Sequence, residues 1–287
     1  MMKLSNNSKL RFFITLLTCA MLSGCAVKFV YNQLDWVIPW YLQDYIPLND
    51  AQKDYLNTRI DHHLVWHRQT QLPEYARFLR STAVQISNGF TREEIDSLHL
   101  QLSTFGQILS DQIASDIAQL FLSSNDKQLV KMVDKFNRDN KRFKKTYIHI
   151  SEENLRKLRL KETRKYLERW LGGLTRHQQD ELKTWSTEFK PIAREVLAHK
   201  LLWQKNLKAL MKSRNDSTEF KQQLTTFLAN PGNDWKSEYT AKTDFNKERI
   251  TALFLRLDAH MTQRQRNKLI KKLNSLANDL MELSAKT

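Results

Sequence analysis

Four short segments of this chain share one local pattern, and that pattern commits most of its length to helix. They are Leu48-Asn49-Asp50-Ala51-Gln52, Phe90-Thr91-Arg92-Glu93-Glu94, Leu174-Thr175-Arg176-His177-Gln178 and Met261-Thr262-Gln263-Arg264-Gln265. In each, an apolar residue precedes a capping residue, and Gln or Glu follows three positions later. This is a capping box: the cap side chain accepts from the N–H at the third helical position, whose own side chain reaches back to the cap's N–H. A Leu stands seven after every cap, at Leu56, Leu98, Leu182 and Leu269. Glycine and proline number only six and five in 287 residues, so little interrupts the helices that the boxes begin.

The fold class this implies is all-α, an elongated or curved array of helical hairpins. Helical periodicity places the long helices at about 50–71, 74–87, 92–122, 126–170, 176–213, 217–229, 235–258 and 263–284. Ahead of them, Val27, Val30, Tyr31, Leu34, Val37 and Ile38 form an apolar stripe. Pro39 and Pro47 then bracket a short element, Trp40 to Ile46. The first two caps lie 42 residues apart, which fits a repeating hairpin unit with some boxes missing. Asp216-Ser217-Thr218-Glu219 reads as a degenerate copy. No segment alternates like a strand, and no linker divides the chain.

The first 24 residues read differently. Lys3, Lys9 and Arg11 precede an apolar run from Phe12 to Met21, too short to span a bilayer, and Leu22-Ser23-Gly24-Cys25 follows. A basic start, an apolar centre and small residues before a Cys describe a secretory signal. Leu22, Ser23 and Gly24 before Cys25 resemble the lipobox of bacterial lipoproteins, which implies that Cys25 is acylated and becomes the mature N-terminus. Residues 1–24 are therefore expected to be removed, and 25–287 to form a single helical periplasmic domain anchored through Cys25. Ala26 occupies the position where Asp commonly retains lipoproteins in the inner membrane, so the resemblance points to the outer membrane. Cys19 leaves with the signal and Cys25 is consumed by lipid, so no disulfide is expected.

The formal net charge is +15. An exported protein does not meet nucleic acid, so the excess suits anionic lipid, acidic envelope polymer or an acidic envelope protein. The charge concentrates between Lys127 and Arg169, where 15 Lys/Arg face six Asp/Glu. Its densest run contains Lys141, Arg142, Lys144 and Lys145, with Phe136, Phe143, Tyr147 and Tyr166 interleaved. Two readings stay open: a surface that grips an anionic ligand, and a solvated helix face.

The block from Phe29 to Tyr45 holds six aromatic residues, Trp36, Trp40 and Tyr41 among them. Trp and Tyr suit a membrane interface because each joins an apolar body to a polar tip. The block follows the anchor so closely that a helix lying on the periplasmic leaflet is one reading. Core of the first helices is the other. His63 and His67 share a helix face at a spacing that can hold zinc, yet the Glu of the metalloprotease motif is absent and both continue an apolar stripe. No metal or other cofactor is expected.

Two family patterns are present. Tyr31-Asn32-Gln33-Leu34-Asp35-Trp36, Pro39-Trp40-Tyr41-Leu42, Trp66-His67-Arg68 and Leu72-Pro73-Glu74-Tyr75 resemble a family of helical lipoproteins of proteobacteria catalogued as a domain of unknown function. The resemblance covers essentially the whole mature chain; it implies an all-helical lipoprotein and supplies no activity. Leu174-Thr175-x-x-Gln178 also resembles the Leu-Thr-x-x-Gln motif of small periplasmic chaperones such as Spy, with Met261-Thr262-x-x-Gln265 a near match.

No nucleophile elbow, phosphate loop or dense carboxylate cluster marks the chain as an enzyme. The expected role is that of a non-enzymatic binding or scaffold protein of the envelope. A holdase for unfolded clients and an enzyme acting on envelope polymer are the alternatives.

Overall fold

Five capping boxes, one more than the sequence pattern marks, start helices in the computed structural model, which describes residues 24–215, 217–232 and 235–286. Asn49, Thr91, Asn125, Thr175 and Thr262 each accept from the N–H three residues on, and Gln52, Glu94, Gln128, Gln178 and Gln265 each accept from the cap's own N–H. The additional box, Asn125 to Gln128, has Ser124 where the others carry an apolar residue. Ser151 and Ser217 cap two further helices with their side-chain oxygens. The segment around Ser217 is thus capped without a complete box.

The helices are α1 (Gly24–Tyr31), α2 (Leu34–Leu42), α3 (Asp50–Trp66), α4 (Leu72–Asn88), α5 (Arg92–Leu122), α6 (Asp126–Phe143), α7 (Glu152–Leu171), α8 (Arg176–Glu188), α9 (Ala193–Lys212), α10 (Thr218–Ala229), α11 (Ser237–Ala259) and α12 (Gln263–Ser284). Short π turns, His67–Gln71 and Lys144–Ile148, follow α3 and α6. There is no strand among the described residues, and the fold is all-α. Leu22 and Ser23 lie outside the described residues; Gly24 and Cys25 open α1.

Several boundaries differ from expectation, each for a local reason. The helix expected to stop near Gln71 runs on into α4. The π turn ends at Gln71, two residues before Pro73, so the ladder is already widened just ahead of the ring that has no N–H to offer. The helix expected over 126–170 breaks after Ile148, where Thr146, Ile148 and Ile150 are β-branched and Ser151 begins a new helix with Glu152 and Glu153 in its first turn. The helix expected over 176–213 breaks before Pro191, since a residue ahead of proline is pushed towards extended backbone. Pro39 sits inside α2 instead of ending an element; in a helix of nine residues its ring removes a single ladder bond, the one to Asp35.

The core is divided among neighbouring clusters. α1, α4 and α12 meet at Tyr31, Leu72, Ala76, Ala277, Leu280 and Leu283. Ala76 and Ala277 are completely buried, and such small side chains let two helices approach closely. α5, α6, α9 and α10 close around Ala118, Met132, Leu207, Met211, Phe220 and Leu224. A third cluster joins α7, α8 and α11 through Leu171, Leu182, Trp185, Leu253 and Leu257, with Leu174 between them. Each fully buried Leu contributes about 1.5–3 kcal/mol by leaving water.

The glutamines of four boxes also tie helix starts together in pairs. Gln52 donates to Ser123 O at 2.9 Å, and Gln128 donates to Pro47 O and Gln52 Oε1, both at 2.6 Å. Gln178 and Gln265 repeat the arrangement: Gln178 donates to His260 O at 3.3 Å and Gln265 to Gly173 O at 2.8 Å, while their amides bond each other. The caps therefore do not mark a simple hairpin repeat. They mark two pairs of helix starts, Asn49 with Asn125 and Thr175 with Thr262.

A candidate ligand cavity between the aromatic block and the basic stretch

The chain from α2 to α3 is pinned across α5 and α6. Ile46 and Leu48 are buried against Leu120, and the Gln128 amide holds Pro47 O. That fastening lays the end of the aromatic block along one face of α6. There Tyr45 donates to Asp139 Oδ2 at 3.0 Å, and its ring stands 6.2 Å from that of Phe136. Lys135 completes the contact: its ammonium lies 3.2 Å from Asp139 Oδ1 and 4.9 Å from the Tyr45 ring centre, with only 8% of the side chain exposed.

Between these elements lies a cavity of about 610 Å³, well within the range of small-molecule sites. Val37, Ile38, Trp40, Tyr41, Leu42 and Tyr45 form one side. α6 contributes Lys135, Asp139, Arg142 and Phe143, the π turn contributes Thr146 and Tyr147, and α9 contributes Lys200. The wall is predominantly aromatic and aliphatic, and its charged groups are Lys135, Arg142 and Lys200 set against Asp139 and the exposed Asp44. Asp139 is shared by Lys135 and by Arg142, whose guanidinium lies 3.8 Å away. Lys200 stands 5.2 Å from the centre of the Phe143 ring and makes no ion pair among the described residues. Burial pushes the Tyr45 phenol well up, reinforced by its hydrogen bonds with Tyr41 and Asp139, so it stays protonated.

Two separate regions of the sequence thus line one site. Of the membrane-interface candidates, Trp40 and Tyr41 line the cavity. Trp36 stacks on Trp40 at 6.0 Å with 62% of its surface exposed. Of the basic candidates, Arg142 lines the cavity, while Lys141, Lys144 and Lys145 are exposed. The aromatic block itself divides: Tyr31 is buried, Tyr45 half-buried, and Phe29, Trp36 and Tyr41 exposed. Lys135 and Tyr147 lie within the basic, aromatic stretch that the sequence marks. Lys200 arrives from a distant helix and carries no local signal.

The two histidines face different partners. His63 Nε2 lies 2.7 Å from Asp116 Oδ2, where Tyr55 donates to Oδ1 at 2.8 Å and Arg59 pairs at 2.8 Å. Burial raises the Asp116 carboxyl, but the bonds from Tyr55, Arg59 and His63 outweigh it and hold it below its ordinary range. His67 Nδ1 instead meets the Tyr31 hydroxyl at 2.9 Å, and burial lowers the imidazole. Both rings thus tie helices together. No group of three or more His, Cys, Asp or Glu among the described residues is placed to hold a metal ion. No described helix is long and apolar enough to cross a membrane.

The fold and cavity define an all-helical protein with an aromatic-walled cleft that gathers three cations and two carboxylates between α2, α6 and α9. The chain belongs to a family of unknown function, DUF6279, whose model matches residues 44–240. The match takes in the α6, π-turn and α9 walls of the cavity and begins after the Trp40 and Tyr41 wall, so it is narrower than the resemblance read from the sequence. No curated protein and no solved structure matches the chain.

Proposed function

We propose that this protein is an outer-membrane lipoprotein facing the periplasm, acylated at Cys25, and that it works as a non-enzymatic binding protein of the cell envelope through the α2–α6 cavity. The observation that carries this reading is the union of Trp40 and Tyr41 with Lys135, Arg142 and Lys200 around one apolar space. Convergent polar groups over an apolar floor describe a binding site. Asp139 and Tyr45 are engaged with each other and with Lys135, an arrangement suited to shaping a pocket. The lipobox, Ala26 after the anchor and the exposed aromatics that follow support the location.

A second reading has an observation of its own. The middle of α5 exposes Leu100, Leu102, Ile108 and Leu109, a surface suited to diffuse contacts with unfolded chains. One experiment separates the two. A photoreactive residue replaces Tyr41 or, separately, Leu102 in the full-length protein, and adducts formed in intact cells are identified by mass spectrometry. A dominant adduct at position 41 supports the cavity reading; a broad set of unrelated periplasmic proteins from position 102 supports the holdase. The anchor has its own check: Cys25→Ser should shift the protein out of the acylated membrane pool, and unchanged labelling by an alkyne-bearing fatty acid would sink the lipoprotein assignment.

A further inference from the structure

We propose that the occupant of this cavity is an anionic amphiphile, with an alkyl chain against the aromatic and aliphatic wall and its carboxylate or phosphate at Lys200 and Arg142. The proposal rests on the reading of the cavity as a binding site and specifies what that site takes.

Two requirements on the wall must be met together. Val37, Ile38, Leu42, Phe143 and the rings of Trp40 and Tyr45 offer a surface that gains from covering by hydrocarbon. A small inorganic anion would leave that surface wet. The cations impose the second requirement. Lys135 and Arg142 share the single carboxylate of Asp139, and Lys200 has a ring face and no ion-pair partner among the described residues. A neutral hydrocarbon would cover the Lys200 ammonium without a compensating charge, which is costly. A molecule with an apolar tail and one anionic head meets both conditions, and charge-assisted hydrogen bonds to Lys and Arg are among the strongest that a head group can make.

The polar groups also limit the head. The carboxylate of Asp139 already draws on two of the three cations, and the exposed Asp44 adds a second carboxylate at the edge, so the cavity suits a head carrying one negative charge and placed at Lys200. The Tyr41 hydroxyl lies 3.1 Å from that of Tyr45, whose own proton goes to Asp139, so Tyr41 donates to Tyr45 and its oxygen is left to accept from a hydroxyl of the head group. A fatty acid, a lysophospholipid and one chain of a bilayer phospholipid share this chemistry and differ in where they come from.

The test uses the full-length lipoprotein in nanodiscs of neutral phosphatidylcholine. Diazirine-bearing palmitate, lysophosphatidylglycerol and monoacylglycerol are added separately, irradiated, and mapped by peptide mass spectrometry. Both anionic probes should label the segments spanning 37–45 and 135–147. The uncharged monoacylglycerol should label them about tenfold less, as expected when a bond to a charged group is lost. In a Lys200→Glu, Arg142→Glu double variant, labelling by palmitate should fall similarly, while the unlabelled double variant Lys200→Gln, Arg142→Gln controls for the fold by its melting curve. Label arising from diazirine phosphatidylglycerol built into the nanodisc identifies the bilayer as the source, and label from added palmitate alone identifies the free acid. Equal labelling by the monoacylglycerol, or full competition by inorganic phosphate, overturns the proposal. If no lipid probe labels the segments while the adduct at position 41 persists in cells, the ligand class falls and the binding role stands. If that adduct is absent as well, both fall.

Discussion

Gln52, Gln128, Gln178 and Gln265 each use both ends of one amide. The carbonyl oxygen accepts from the N–H of its own cap, and the NH₂ donates across to the chain that enters the partner helix. Glu serves a capping box equally well, as Glu94 does for Thr91, but a carboxylate cannot donate. That difference explains why Glu occurs at the exposed Thr91 box and Gln at the four buried, paired ones. Gln178→Glu is isosteric and keeps the cap, yet it faces a charged oxygen towards His260 O and Gln265 in a fully buried position. The substitution should cost about 1–3 kcal/mol or more at neutral pH, the penalty of stranding buried polar groups. The introduced carboxyl would have a folded-state pKa raised above its unfolded value, so the lost stability returns as pH falls below it. Thermal unfolding at pH 7 and pH 4 measures this; an equal loss at both would show that donation is not what matters. The boxes were legible in the sequence because a cap and its partner are three residues apart. Their pairing was not, because it depends on which helix starts meet in space.

At the scale of elements, the sequence overestimated continuity, and the reason is visible at Lys190. Phe189 adopts extended dihedrals and Pro191 cannot donate, so the backbone between α8 and α9 leaves the helical ladder. The freed groups are met from α11: Asn246 Oδ1 accepts from Lys190 N at 2.9 Å, and Asn246 Nδ2 donates to Lys190 O at 2.8 Å. Asn246 is 4% exposed, and a buried backbone group without such a partner is costly. Asn246→Ala should therefore destabilise the protein by about 1–3 kcal/mol. Pro191→Ala should cost less, since α8 is already closed by the turn that Asn246 clasps. Chemical denaturation of the two variants checks the order, and a larger loss for Pro191→Ala would put the break in the proline instead of the clasp. A break caused by proline can be read locally. The clasp cannot, because Asn246 lies on another helix. The same limit applies to the candidate site, where Trp40, Tyr41 and Arg142 stand out as residue types and Lys200 does not.

At the scale of the whole molecule, the proposed anchor leads directly into packed structure. Tyr31 of α1 is buried with Leu280 and Leu283 of α12, and Val27 packs against the same cluster. Lys28 donates to Glu282 at 2.6 Å and lies 3.3 Å from Asp279. Those bonds, led by the one to Glu282, raise the Lys28 ammonium above its ordinary value. An acyl chain on Cys25 would therefore hold the folded body close to the bilayer, with Trp36 and Phe29 exposed a short way along the chain. Inserting roughly ten Gly/Ser residues directly after Cys25 would interpose a coil of about 17 Å. With the α1–α12 contacts still in place, the melting temperature should change little. Quenching by brominated phosphatidylcholine should instead fall, and the part removed should be the part that Trp36→Phe also removes. Quenching that survives the insertion would mean that the aromatics bind the bilayer by themselves, through their own apolar surface, and that the short connection to the anchor is not what holds the cavity beside the membrane.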